Sequence, residues 1–168
     1  NTGSSIILVS PDSERTMNTS LENNRKYCVD DIQENEIRNA DYLYFTGYMW
    51  DTDSQKNALL KAIEIAEDAG TKIVFDAADP FAVRRSAGEF KRLIEQHFDI
   101  VLANAEEARL MFGSEDLSCC SEELADICDI AVIKNGSAGS VVKSGGKSIN
   151  IPVYKVDAVD TTGAGDIY

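Results

Sequence analysis

The sequence predicts an α/β fold: a mostly parallel sheet with helices on both faces, and a small β hairpin element beside it. Three observations carry this prediction. Strand and helix patterns alternate at least three times between residues 42 and 134, and crossovers of that length imply parallel strands with helices packed on the sheet. Tyr42-Leu43-Tyr44-Phe45 and Lys72 to Phe75 are short and largely apolar, as strands buried on both faces are. Asp76, Asn104, Lys134 to Gly139 and Asp160 to Asp166 directly follow predicted strands, and ligands on such sheets sit at the carboxyl ends of the strands.

Taken in order, Ile6 to Val9 and Thr16 to Leu21 read as two strands joined by the polar turn Ser-Pro-Asp-Ser-Glu-Arg. Residues 23–39 are polar and acidic, with a short helix around Asp31–Arg38. Tyr42 to Phe45 reads as a buried strand closed by Thr46-Gly47. After Trp50 comes the clearest helix: Asp51 to Asp53 supply a cap, and Leu59, Leu60, Ile63, Ala66 and Ala69 recur at helical spacing. Gly70 stops it at the C′ position. Lys72 to Phe75 is a strand ending at Asp76, and Asp79-Pro80 caps a helix that carries Phe90, Leu93 and Ile94. Asp99 to Ala103 is the next strand, Asn104 to Phe112 a short helix, and Ser121–Cys128 a second one. Ile130 to Ile133 is a strand, Gly136 to Gly139 a turn, and Ser140 to Ile151 a hairpin around Ser144-Gly145-Gly146.

The 168 residues suffice for one sizeable core and one domain. With 43% hydrophobic and 27% charged residues the composition is that of a globular chain. A net charge of −13 argues against nucleic acid as a partner, because such binding rests on Lys and Arg neutralising phosphates. No apolar run approaches the ~20 residues of a membrane span. Asn-Thr-Gly-Ser-Ser at the start carries neither an initiator Met nor a secretory pattern, so a cytoplasmic protein with no membrane partner is expected. Cys28, Cys119, Cys120 and Cys128 form no Cys-x-x-Cys pair, which points to neither zinc nor a disulfide framework.

The densest chemistry lies in the last nine residues, Asp160-Thr-Thr-Gly-Ala-Gly-Asp-Ile-Tyr168, reached through a run of β-type residues from Tyr154 to Val159. Small residues at 163–165 let the backbone approach a ligand and turn its N–H groups outward. Where a helix follows, those amides and its dipole form a phosphate site. A carboxylate beside a bound phosphate suits the base that takes a hydroxyl proton in phosphoryl transfer. The plainer reading of the same residues is a Gly-containing loop with Asp160 or Asp166 as an N-cap.

Asp-Thr-Thr-Gly-Ala-Gly-Asp resembles the C-terminal signature of the ribokinase (pfkB carbohydrate kinase) family, and the chain is similar to its adenosine-kinase branch. The resemblance implies a Rossmann-like, ribokinase-like sheet. It makes Asp166 the catalytic base and the amides of Gly163, Ala164 and Gly165 the anion hole, with Thr162 beside the nucleotide. Asn104-Ala-Glu-Glu107 is by itself a capping box. It is also similar to the family's Asn-x-x-Glu motif, which acts through Mg²⁺ and the triphosphate, with Glu107 reaching the metal through water. Glu106 falls outside that motif and is read as solvated. Gly136-Ser-Ala-Gly139 is by itself a β-turn; in the family a Gly-x-x-Gly loop here contacts ATP phosphates. Lys134, at its head, stands where relatives often carry Thr, and a lysine there can still meet a phosphate.

Asp160 is read either as a ligand for a monovalent cation such as K⁺, as in relatives, or as a cap of the loop. Asp76 is either structural or a part of the phosphate edge. The family's sugar-binding pattern Asp-x-Asn-x-Arg is absent there, and Asp79-Pro80-Phe81 is more like the adenosine-kinase branch. His97 is read as finishing a helix, and Trp50 as core or helix entry.

The implied activity is ATP-dependent transfer of the γ-phosphoryl group to a primary hydroxyl of a sugar or nucleoside, adenosine first and ribose or fructose-type sugars next. ATP and Mg²⁺ are the implied cofactors. The alternative is a nucleotide-binding or regulatory module that keeps the fold without catalysis. The resemblance also implies that residues 1–168 are the central part of a single kinase domain, truncated at both ends and inactive alone. Residues 1–22 form a lid or the edge of a homodimer, and residues 40–168 the α/β core.

Overall fold

The computed structural model describes residues 2–10, 15–156, 165 and 168. Strands β1 (Ser4–Val9) and β2 (Arg15–Ser20) pair antiparallel in a two-stranded sheet of their own, with Ile6 opposite Asn18 and Ile7 opposite Met17. Alternation along β1 puts Ile6 and Leu8 on one face and Ile7 and Val9 on the other, and all four are exposed.

The polar segment that follows forms two 3₁₀ turns (Glu22–Lys26 and Val29–Asp31) and helix α1 (Glu34–Arg38). It is tied to the start of the next long helix by side chains reaching its backbone. Ser54 Oγ donates to the Tyr27 carbonyl at 2.7 Å and the buried Gln55 Nε2 to the Asn24 carbonyl at 3.1 Å.

The main sheet has the order β3 (Tyr42–Thr46), β4 (Lys72–Asp76), β5 (Ile100–Asn104), β6 (Ile130–Lys134), β7 (Ser140–Ser144), β8 (Lys147–Ile151). The first four strands are parallel and the last two antiparallel. The predicted class is therefore observed: a mostly parallel α/β sheet plus a small separate hairpin. Among the described residues β3 lies at the edge of this sheet, and there Tyr42 and Tyr44 are exposed and only Phe45 is buried. The expectation of a buried strand there is corrected by strand order, which an apolar run does not encode.

Helix α2 (Asp53–Ala69) starts at Thr52, whose hydroxyl accepts from Gln55 N while the Gln55 side chain reaches back, a capping box. It ends at Gly70 with φ +76°, the left-handed C-cap the sequence predicts. Leu59, Ile63 and Ala66 are buried, whereas Leu60 and Ala69 face outward, a correction to the predicted apolar stripe. Helix α3 (Pro80–His97) is capped by the Asp79 side chain accepting from Phe81 N, and its turn is interrupted at Ser86. Helix α4 (Ala105–Phe112) ends at Gly113. Helix α5 (Leu117–Ala125) starts ahead of the predicted Ser121 because the Asp116 carboxylate accepts from Ser118 N at 2.9 Å. The β7–β8 turn has Gly145 and Gly146 at φ +54° and +74°, the two left-handed residues of a type I′ hairpin.

One apolar cluster joins these helices to one face of the sheet. Phe45, Phe75, Val101 and Ala131 stand in register across β3 to β6, and Phe75 packs within about 5 Å, ring centre to ring centre, of Phe45, Phe90 and Phe98. Burying rings of this size stabilises by about 1.5–3 kcal/mol each. The alternate positions Val74, Leu102, Val132 and Val142 are apolar too, but of these only Val132 is buried and the other three are half-buried. Tyr154 to Val156 are not strand, and Tyr154 is 96% exposed; the predicted β-type run is corrected there, and its residues 157–159 lie outside the described residues.

Candidate active site

β4, β5 and β6 each end on a polar side chain, respectively Asp76, Asn104 and Lys134. The parallel register sets Asn104 opposite Lys134, so the three ends lie along one edge. There they line a cavity of 690 Å³ together with Ala78, Glu107, Gly136, Gly139, Ser140, Gly165 and Tyr168. Six residues that the sequence singles out (Asn104, Glu107, Lys134, Gly136, Gly139 and Gly165) are thus brought together, with Asp76 among them. Asp160, Thr162, Gly163, Ala164 and Asp166 lie outside the described residues.

Asp76 is buried and bonded through both oxygens. Oδ1 accepts from Ala78 N at 3.1 Å, and Oδ2 accepts from Lys134 Nζ at 2.9 Å. Ala78 has φ +61°, a conformation that costs a non-glycine residue about 1–2 kcal/mol. The Asp76 oxygen at its amide and the Asp79 N to Ala77 O bond at 2.8 Å hold the turn in place. Strain of this kind concentrates at ligand-binding positions.

Asn104 and Glu107 form the complete reciprocal cap. Glu107 N donates to Asn104 Oδ1 at 2.9 Å, Asn104 N to Glu107 Oε2 at 2.7 Å, and Asn104 Nδ2 to Glu107 Oε1 at 2.7 Å. Glu107 is only 1% exposed. Burial pushes its carboxyl up to about 7, and the Asp76 charge adds to this, against the Asn104 amide and the Lys134 charge. Glu106 pairs with Arg84 on the exposed side of the helix.

The loop from Asn135 to Gly139 closes on itself: Asn135 N donates to Gly139 O, Ala138 N to Asn135 O, and Gly139 N to Gly136 O. The amides of Gly136 and Ser137 are those not used within the turn, and both residues line the cavity. Gly139 has φ +89°, and a Cβ there would lie 2.1 Å from the Ile151 carbonyl, so no other residue fits.

Three contributors escape sequence reasoning. Lys134 Nζ also donates to the Gly165 carbonyl at 3.4 Å; Ser140 Oγ and Tyr168 OH lie 2.5 Å apart; and Ala78 supplies the strained turn. The positions of Asp76 and Lys134 after their strands are the only local signal of the first. His97 is at the opposite edge, bonded to Glu67 at 2.7 Å, and joins α3 to α2. Trp50 is half-buried and donates to Glu89. The four cysteines are free, and burial pushes the Cys128 thiol up to about 12.

Among the described residues no group of three or more His, Cys, Asp or Glu side chains is placed to hold a metal ion. Mg²⁺ characteristically keeps several waters and takes one or two carboxylates plus substrate phosphates; the carboxylate in the cavity wall beside Asn104 is Glu107, 1% exposed and with both oxygens accepting from Asn104. Among the described residues no helix is long and apolar enough to cross a membrane.

The fold recurs in known proteins. The adenosine kinase of Sinorhizobium meliloti superposes with a TM-score of 0.94 at 34% identity, over 99% of this chain and 51% of that one. An uncharacterized sugar kinase of Archaeoglobus fulgidus is 26% identical over 99% of this chain and 64% of its own length. A 5-dehydro-2-deoxygluconokinase of Shouchella clausii is 29% identical over 83% of this chain and 45% of its own length. The chain thus spans between about half and under two thirds of the proteins it matches. The pfkB family of carbohydrate kinases matches residues 1–168 from end to end, and the chain belongs to that family.

Proposed function

We propose that the full-length protein to which residues 1–168 belong transfers the γ-phosphoryl group of ATP to a primary hydroxyl of a small sugar or nucleoside. The observation that carries this reading is the convergence of Asn104-Glu107, the Gly136–Gly139 loop and Gly165 on one cavity at the carboxyl edge of the sheet. Residues 40–168 are its α/β core, and residues 1–22 a lid or an edge for a second copy.

In this reading Asp166 takes the proton of the acceptor hydroxyl as its oxygen bonds to the γ-phosphorus and the bond to the β-phosphate oxygen breaks, releasing ADP. The amides of Gly163, Ala164 and Gly165 hold the migrating phosphoryl oxygens. Gly136 and Ser137 present their amides to the nucleotide. Mg²⁺, when bound, neutralises charge on the phosphates, and Asn104 and Glu107 reach it through water. A monovalent cation at Asp160 rests on family resemblance alone.

Adenosine is the first acceptor, supported by the 34% identity to the Sinorhizobium meliloti enzyme. Ribose and fructose-type sugars come next, and the 5-dehydro-2-deoxygluconokinase relatives add a sugar acid to the panel. The test is ATP turnover by the full-length protein, not by residues 1–168 alone, against these acceptors, with Asp166→Asn alongside. Acceptor-dependent turnover that falls by about 10²–10⁴ in the variant, the share of a general base, is the expected result. Tight ATP binding without turnover on any acceptor replaces this reading with a non-catalytic nucleotide-binding module.

A further inference from the structure

β4 and β6 are not neighbours, because β5 lies between them, and two strand spacings, about 10 Å, separate them. Asp76 and Lys134, the last residues of those strands, nevertheless meet, Nζ to Oδ2 at 2.9 Å. The two side chains are only 8% and 15% exposed. A positive charge enclosed and matched this closely has little field left for a polyanion. Drawing the lysine onto a phosphate would strand a buried carboxylate, which is costly.

The same carboxylate has a second task. Its Oδ1 accepts from Ala78 N at 3.1 Å, and Asp79 N donates to Ala77 O at 2.8 Å. The latter bond closes a three-residue turn about Ala78, whose φ is +61°. A turn of this length with positive φ is rare and strained, so it persists only where its surroundings hold it. Gly47 packs against it: a Cβ there would stand 2.4 Å from the Ala77 carbonyl, space that only glycine leaves. Ala78 lines the 690 Å³ cavity, as do Gly136, Ser137 and Gly139 of the loop after Lys134, and Asn104 at the end of the strand between.

We propose that Asp76 is a positioning residue for the nucleotide: through Lys134 it ties the Ala78 turn at the end of β4 to the head of the Gly136–Gly139 loop at the end of β6, and so fixes the width of the cavity between them. That the cavity takes ATP rests on the phosphotransfer reading. Lys134 is in this arrangement a tie and not a ligand of the ATP phosphates. The amides of Gly136 and Ser137 bind an anion more tightly when they need no ordering as it arrives. A lysine already matched by Asp76 supplies that order without adding a free charge to the edge.

The test uses the full-length protein with Asp76→Asn, Lys134→Met and the double variant. It reads the Kd for Mg-ATP by titration calorimetry without acceptor, with kcat and the acceptor KM alongside. Each single variant is expected to raise the Kd by about tenfold, the size of one hydrogen bond to a charged group. The double variant should raise it by the same factor and no more, because both side chains act through one bond. The acceptor KM should stay within about twofold. Because the double variant buries no charge, its stability should recover, while its weak ATP binding should persist for want of the tie.

If Asp76→Asn binds ATP as well as the natural protein or better, while Lys134→Met binds it about tenfold more weakly, Lys134 is a phosphate ligand and the proposal is overturned. Losses that multiply in the double variant overturn it as well, since the two side chains then act separately. A double variant that regains ATP affinity together with stability reduces the pair to a structural role, with the same consequence. Where Lys134→Met does not fold, the isosteric Asp76→Asn decides alone: a tenfold rise in Kd supports the tie and an unchanged Kd overturns it. ATP binding without turnover on any acceptor removes the phosphotransfer reading and leaves the Kd comparison to decide the tie. A natural protein that binds no ATP overturns both.

Discussion

Two lysine–aspartate pairs mark opposite ends of the same sheet. At the amino end of the strands, Lys72 Nζ lies 2.5 Å from Asp99 Oδ1 and 3.7 Å from Asp129 Oδ2, with the Lys72 side chain 56% exposed. At the carboxyl end, Lys134 and Asp76 stand 2.9 Å apart and are largely buried. The shorter pair is not the stronger one. Exposed pairs gain little over hydration and are screened by salt, whereas either charge of a buried pair is costly once its partner is removed. The amino end uses its aspartate mainly as a backbone acceptor, since Asp99 Oδ2 takes the Ile73 amide at 2.7 Å. The carboxyl end uses its pair to organise a cavity.

The largest effect should come from breaking the buried pair on one side only. Lys134→Met strands the Asp76 carboxylate, and the expected loss of stability is about 3–5 kcal/mol. Urea unfolding of the full chain at pH 7 measures it. The double variant with Asp76→Asn removes both charges and should recover most of that loss. If Lys134→Met alone costs under about 1 kcal/mol, the value of an exposed pair, the contrast between the two ends collapses.

Glu107 sharpens the contrast, because it adds a second carboxyl to the buried edge. Its carboxyl is pushed from 4.5 up to about 7, chiefly by burial. Below about pH 4.5 the folded and unfolded chains both keep the proton. Between 4.5 and 7 the unfolded chain releases it while the folded chain retains it, so stability falls as pH rises. Above 7 the loss is complete, roughly 3 kcal/mol from the size of the shift. Glu107→Gln keeps a side chain that can cap Asn104 N but cannot ionise. Its stability relative to the natural chain should therefore improve by roughly that amount between pH 4.5 and 8. Equal pH dependence of the two proteins in urea unfolding would show that this carboxyl ionises normally.

Much of this edge is written locally. Thr52 with Gln55, Asp79 with Pro80, and Asn104 with Glu107 announce their helices within four residues, because caps are short-range hydrogen bonds. The Gly145-Gly146 turn is equally local. The pairing of Asp76 with Lys134 spans 58 positions and an intervening strand, so no window of sequence contains it. The same holds for the edge position of β3, which exposes Tyr42 and Tyr44, and for Ser140 meeting Tyr168. The early start of α5 has a smaller cause: Asp116 caps it, and the Ser118-Cys-Cys-Ser121 stretch gives no periodic apolar signal. The Gly-Ala-Gly-Asp motif is legible as chemistry, although most of it lies outside the described residues.

The smallest effect is predicted at the amino end. Lys72→Met removes the positive partner of Asp99 and Asp129, yet all three side chains stay in contact with water. Asp99 keeps its bond to Ile73 N, and its main chain keeps the bonds that join β4, Asp99 and Ile130. The urea midpoint at about 0.15 M salt should not move measurably, because the pair is screened at that ionic strength. Lowering the salt should restore a small advantage to the natural chain, as it does for exposed ion pairs. A midpoint shift as large as that of Lys134→Met would mean that charge separation, not burial, ranks the two pairs, and that the carboxyl edge owes nothing special to its enclosure.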